Sequence, residues 1–186
     1  AEPEIMGLTA LLLLQHSRAG ARFDAHGQVV LLDDQDRTRW DGKLIDEGLA
    51  LLDKAMRHRR RGPYQIQAAI AALHARAARS ADTDWAQIDL LYGALEAVSP
   101  SPVVTLNRAV AVSKTAGAAA ALEMVEPLEP ALGGYFHFHG LRGGLLMQLG
   151  RAEEARESFN RAIALAGNAA EAAHIRMHLD KLSASR

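Results

Sequence analysis

Gly143…Leu149-Gly150-Arg151…Ala155…Phe159…Ala162 is spaced as only two paired helices can use it. It places small residues where helices cross, a glycine where the first helix stops, and an aromatic that plugs the next pair. Gly143 and Gly144 would each cost about 1 kcal/mol in an isolated helix, so close backbone packing is the expected reason for them. One repeat upstream, Ala120 and Met124 take the places of Ala155 and Phe159, 35 residues earlier. Ile88, Tyr92, Leu95 and Pro100 fit the second half of a fainter copy before that. A period of this length means stacked helical hairpins, each burying an apolar face that it cannot bury alone.

The spacing is that of a tetratricopeptide (TPR) repeat, with an ordinary helical bundle as the alternative, and composition agrees with helices in either case. Only nine of 186 residues are aromatic, against 36 Ala and 26 Leu, so the core is filled by side chains that lose little freedom in helices. The predicted fold is all-α: TPR-like antiparallel helical hairpins stacked as a short solenoid, with a non-helical excursion near residues 20–40. Residues 1–40 should form an N-terminal helix (Glu4 to Ser17) and an ordered excursion packed on the array. Residues 41–186 should form the repeat domain, the whole being one compact unit. His26-Gly27 and Val29–Leu32 give the excursion a turn and a short extended run. Gly62-Pro63 and Ser99-Pro100-Ser101-Pro102 are the clearest helix breaks, and Asp84, Ser101 and Asn168 the clearest caps. Ala1-Glu2-Pro3-Glu4 enters an apolar helix at once, as a piece cut from a longer protein would.

Several function classes lose support at this level. There is no Cys, which removes disulfides and thiolate metal sites. A formal net charge of −1 offers no overall attraction for nucleic acid. The longest apolar stretch, within Ile5–Leu14, is short of the roughly 20 residues a bilayer span needs, so a cytoplasmic protein without a membrane partner is expected. His174 and His178 share a helix face but have no third ligand nearby in sequence and no glutamate in the metalloprotease position. His137 and His139 alternate with Phe136 and Phe138 and read as packing or peptide-facing residues. No phosphate loop or nucleophile elbow occurs. The expectation is a binding module: no enzyme, no cofactor, no metal.

Two charged segments need separate accounts. Arg57-His58-Arg59-Arg60-Arg61 follows a helix, where the dipole favours cations; the alternative is contact with an acidic protein or nucleic acid. Asp33-Asp34-Gln35-Asp36-Arg37-Thr38-Arg39-Trp40 lacks the Gly and closing Glu of a calcium loop. It reads as a structural lock, with Arg37 and Arg39 paired to the acids and Trp40 anchored on the helices.

Four segments taken in order carry a resemblance. Asp33–Trp40, then Gly62-Pro63-Tyr64-Gln65-Ile66-Gln67-Ala68-Ala69-Ile70, then Asp82-Thr83-Asp84-Trp85, then Ser99–Val112 including Asn107 and Arg108, are similar to the C-terminal extension of one group of extracytoplasmic-function (ECF) sigma factors. The Leu149-Gly150-Arg151 repeat and Asn168…Glu171 extend the likeness over essentially the whole chain. The resemblance implies a regulatory, protein-interaction domain that modulates bacterial transcription initiation. Its partners would be the sigma factor's own N-terminal regions in cis, RNA polymerase, or a DGPF/YCII-related protein, with no specific DNA binding by this piece itself. The family signature falls on Asp33, Asp34, Gln35, Asp36, Arg37, Arg39, Trp40, Pro63, Tyr64, Gln65, Asn107 and Arg108. A free-standing TPR adaptor that captures a peptide is the alternative. Its groove positions would be Thr105, Ala109 and Val112, which lack the Lys/Asn set that clamps a terminal carboxylate.

Overall fold

A computed structural model describes residues 2–184, so Ala1 and Ser185–Arg186, the outer ends of the two expected segments, lie outside the described residues. Every regular element among the described residues is helical, as the sequence predicts. The chain parts into two compact units between Pro100 and Ser101, with Gly27–Val29 grouped with the second. The boundary expected from the sequence, after Trp40 within one unit, is a different one. Prolines at 100 and 102 remove two backbone donors at the actual division, so no helix can run through it.

The first unit holds α1 (Pro3–Ser17), α2 (Gly42–Met56), α3 (Pro63–Arg76) and α4 (Trp85–Val98). Local chemistry sets their starts. Pro3 and Pro63 sit in the first turn of their helices. Asp41 accepts from the backbone N–H groups of Lys43 and Leu44, and Asp84 accepts from that of Gln87. The core joins Ala10 and Leu14 of α1, Leu52 of α2, and Ala68 and Ala72 of α3. Two glycines let α1 approach both neighbours. A Cβ on Gly48 would lie 2.9 Å from Leu14 Cγ, and one on Gly7 would lie 2.7 Å from Gln65 Cγ. Both distances are too short for real atoms, so α1 meets α2 and α3 at backbone range.

The second unit holds α5 (Pro102–Thr115), α6 (Ala118–Val125), the short α7 (Glu129–Leu132), α8 (Phe136–Gln148), α9 (Ala152–Leu165) and α10 (Ala169–Ala184). Arg142 donates to Ser158 Oγ at 2.7 Å, and Gly143 faces Phe159. Both pairs straddle Gly150, whose φ of 72° reverses the chain, so α8 and α9 run antiparallel.

Here the repeat is exact at 34 residues, the tetratricopeptide length. Pro102 and Phe136 open equivalent helices, as do Ala118 and Ala152. Ala109, Ala111, Val112, Ala121 and Val125 are buried, and so are their counterparts Gly143, Leu145, Leu146, Ala155 and Phe159. The expected register of 35 is therefore one residue out. Ala120 and Met124 are only partly buried, because a slip of one position turns a side chain about 100° around the helix axis. Ile88 and Leu95 are buried in α4, but they do not extend the 34-residue series into the first unit.

Candidate functional site

Arg37 of the signature and Glu4 of α1 grip one helix, α3, at its two ends, and Pro63, Tyr64 and Gln65 form its first turn. At its N-terminus, backbone N–H groups are left without intrahelical partners and carry partial positive charge. The Glu4 carboxylate, reaching across from α1, accepts from the backbone N–H of Tyr64 at 3.0 Å and of Gln65 at 3.3 Å. It also accepts from the Gln65 side-chain Nε2 at 2.9 Å, and that nitrogen donates again to the Arg60 carbonyl at 2.6 Å. A Cβ on Gly62 would overlap the Glu4 carboxyl group, which would have to move away from the α3 N-terminus. Pro63 takes the first helical position, where no donor is missed. Gln65 is 1% exposed, whereas Tyr64 is 43% exposed.

The opposite end of α3 presents unpaired carbonyls and partial negative charge. Arg37 meets it. Its Nη1 donates to the carbonyls of His74 at 2.6 Å and Ala77 at 2.7 Å, and its Nη2 donates to Thr83 Oγ1 at 3.1 Å. The guanidinium also lies over the Trp40 ring, 5.0 Å from its centre. Both arginines spend their hydrogen bonds chiefly on backbone oxygens, while the acids act on them electrostatically: Asp33 and Asp82 attract Arg37, and Asp36 attracts Arg39. Arg39 donates to the Gly20 carbonyl. The acids are occupied locally: Asp36 caps its own turn through Thr38, and Asp41 caps α2. A guanidinium carries five donors, so a helix end with several orphan acceptors uses it more fully than one carboxylate would.

The rest of the excursion is fastened in the same way. Gln35 is buried and donates to the Val30 carbonyl at 3.1 Å, and the Val30 N–H donates to the Arg22 carbonyl at 2.9 Å. The Asp33 carboxylate accepts from Ser80 Oγ at 3.1 Å, and the Asp41 N–H donates to the Ser17 carbonyl at 2.8 Å. Trp40 is 8% exposed. Asp34 is exposed. Asn107 and Arg108 are on α5 in the second unit, Asn107 exposed and Arg108 half-buried. Of the signature residues, the structure brings Arg37, Pro63, Tyr64 and Gln65 together at the ends of α3, with Trp40 under Arg37 and with Glu4, Gly7 and Gly62, whereas Gln35, Asp36 and Arg39 bond within the N-terminal segment and Asp33 bonds Ser80.

Sequence reasoning missed Glu4 and Gly7, whose spacing of three puts them on one face of α1. Removing the Glu4 carboxylate should weaken α3 as the loss of a charged N-cap does. Glu4→Ala is expected to destabilise the first unit by about 2 kcal/mol, with Glu4→Gln retaining part of that. Fluorescence-detected urea unfolding checks it, since Trp40 and Trp85 both belong to this unit. An unchanged midpoint would mean that solvent caps α3 equally well.

His74, in the last turn of α3, packs edge-on against Trp85 with ring centres 5.2 Å apart. Burial, then the charges of Arg37 and Arg18, lower its pKa from 6.5 to about 4, against a smaller opposing pull from Asp33. The folded form therefore resists a proton that the unfolded chain accepts. Stability should be complete above about pH 6.5 and should fall as pH drops towards about 4. His74→Phe should flatten this part of the pH dependence in denaturation measured at fixed temperature.

Elsewhere the geometry is that of packing. His139 is buried with Nε2 2.9 Å from the Gly133 carbonyl oxygen, and His178 stacks on Phe159 with centres 5.3 Å apart. Among the described residues no group of three or more His, Asp or Glu comes together in a metal-binding arrangement. No helix among them is long and apolar enough to cross a membrane.

Comparison with known proteins follows this anatomy. The profile of a family of unknown function, DUF6596, matches residues 1–56, which comprise α1, the excursion and α2. An uncharacterized protein of Rhizobium meliloti (strain 1021) is 74% identical over 184 residues, 99% of this chain and 44% of that protein. The chain is similar to one part of a longer protein. No solved structure matches it.

Proposed function

We propose that this chain is the regulatory, protein-interaction extension of an ECF sigma factor, acting on that factor's DNA- and polymerase-binding regions in cis or on RNA polymerase. The observation that carries this reading is the convergence on α3. Asp33–Trp40 and Gly62–Gln65 are separate segments of the resemblance that belong to one helix, the first meeting its C-terminus through Arg37 and the second forming its first turn, which Glu4 caps. Segments that serve one helix support reading their resemblance to the sigma extensions as a shared arrangement. The length of the Rhizobium relative adds support, because the chain spans 44% of it and ample sequence is left for the two helical regions. In this reading the domain works in the cytoplasm by binding, performs no reaction, and a DGPF/YCII-related protein is a further candidate partner. The TPR-adaptor alternative gains no support from its groove positions, since Ala109 and Val112 are buried.

Transcription from the cognate promoter, reconstituted with core RNA polymerase, tests the proposal. The full-length protein containing this chain and a version lacking it should both start at the same site but with different efficiency. The chain alone should show no sequence-selective DNA binding. Equal transcription with and without the chain, or none from either form, would sink the reading.

A further inference from the structure

The connection between α2 and α3 carries Arg57-His58-Arg59-Arg60-Arg61, all exposed. If these cations served only to neutralise the C-terminus of α2, their side chains would fold back on its last carbonyls. They do not. Among the described residues, Arg60 pairs with the exposed Glu2 at 3.5 Å, while the side chains of Arg57, Arg59 and Arg61 have neither a hydrogen bond nor an ion pair. Arg59 and Arg61, with Met56, line an open recess of about 520 Å³. The four arginines stand in a chain of net charge −1, so the remainder carries −5 and the cationic patch is local.

The backbone adds an independent observation. Arg59 has φ 53°, and the other residues with positive φ, Gly27, Gly117 and Gly150, are glycines. A non-glycine is strained there, and the strain persists only because the surroundings impose it. Two contacts impose it: Gln65 Nε2 holds the Arg60 carbonyl, and Glu4 holds the N-terminus of α3 just beyond. A glycine would suit the turn better and an arginine occupies it, with its charge directed at solvent.

We infer that residues 57–61 form a sequence-independent contact for the phosphate backbone of duplex nucleic acid, with Arg57, Arg59 and Arg61 as the phosphate-binding side chains. Guanidinium groups match phosphate oxygens in pairs. Residues 57–61 carry no apolar side chain and Met56 is the one apolar residue lining the recess with them, whereas a surface built for an acidic protein would ordinarily set its charges around an apolar centre of several side chains. Contact with phosphates needs no such centre and gives position without base recognition. The inference goes beyond the function proposed above and does not depend on it. Under that reading the phosphates would be those of DNA held by the rest of the protein.

Titration of the isotope-labelled chain with a short random-sequence DNA duplex at low salt, followed by NMR, tests this directly. Shifts should centre on residues 57–61, and affinity should fall roughly 40-fold for a fourfold rise in salt, as three neutralised phosphates require. Arg57→Ala with Arg61→Ala should abolish most of that salt dependence without moving the unfolding midpoint. Arg59→Gly should weaken binding yet leave the chain as stable or more stable, which a structural arginine would not do. No binding, binding unaffected by these variants, or poly-glutamate binding at the same residues more tightly than the duplex would each overturn the inference. The last outcome would make the turn a contact for an acidic polypeptide.

Discussion

Trp40→Ala should destabilise the first unit by about 3–5 kcal/mol, as removal of a large buried aromatic does. The indole is 8% exposed, and the Arg37 guanidinium that spans the carbonyls at the end of α3 lies across its face. Truncation therefore leaves a cavity and also takes away the platform on which the α3 clamp rests. Exposed charge pairs in the same segment contribute no more than about 1 kcal/mol each, so the ring is expected to outweigh them. Trp85 fluorescence would follow unfolding in the variant, and Trp40→Phe should recover most of the loss. If Trp40→Ala instead leaves stability intact but abolishes transcription by the full-length protein, the segment is an interaction surface and the lock reading fails.

Gly143→Leu should be of similar size in the second unit, about 3 kcal/mol. A Cβ at residue 143 would already stand 2.6 Å from the Cδ1 and Cε1 atoms of Phe159, so a whole leucine can enter only if α8 and α9 separate. Gly143→Ala should cost far less, because the gain in helix propensity of about 1 kcal/mol offsets part of the overlap. The pair should also be strongly coupled. Shortening Phe159 to Leu costs stability alone, but in the Gly143→Ala background it relieves the clash, so a double-mutant cycle should return a favourable interaction of about 1–3 kcal/mol. The preceding hairpin shows the same compensation by sequence: its equivalent residues are Ala109 and Val125, a larger small partner with a smaller large one. Additive mutations, read by circular dichroism or by hydrogen exchange in α8 and α9, would mean that the two residues do not share this crossing.

Much of this anatomy is legible in one dimension because it depends on near neighbours. Pro63, Pro102, Asp41, Asp84 and Ser101 act within a turn of themselves, so helix starts follow from residue type alone. Gly150 likewise ends α8 through its own φ. The repeat was visible through Gly143 and Phe159, but its register was not. Ala120 and Ala121, or Met124 and Val125, are nearly equivalent as letters, and only packing shows which of each pair is inside.

The sequence by itself determined that this protein is helical, where its helices break, and that its last part repeats as hairpins. Those properties come from backbone conformation and from side chains three or four residues apart. The tertiary structure alone decided what the charged signature residues do. Arg37 is drawn to Asp33 as adjacency in the chain suggests, yet its hydrogen bonds go to the carbonyls of His74 and Ala77. Glu4 carried no signal at all, since its partners Tyr64 and Gln65 lie about sixty residues away. A helix end is a strong electrostatic site whose position in space is known only once the chain has folded, and a charge finds it by proximity in the fold rather than in the sequence.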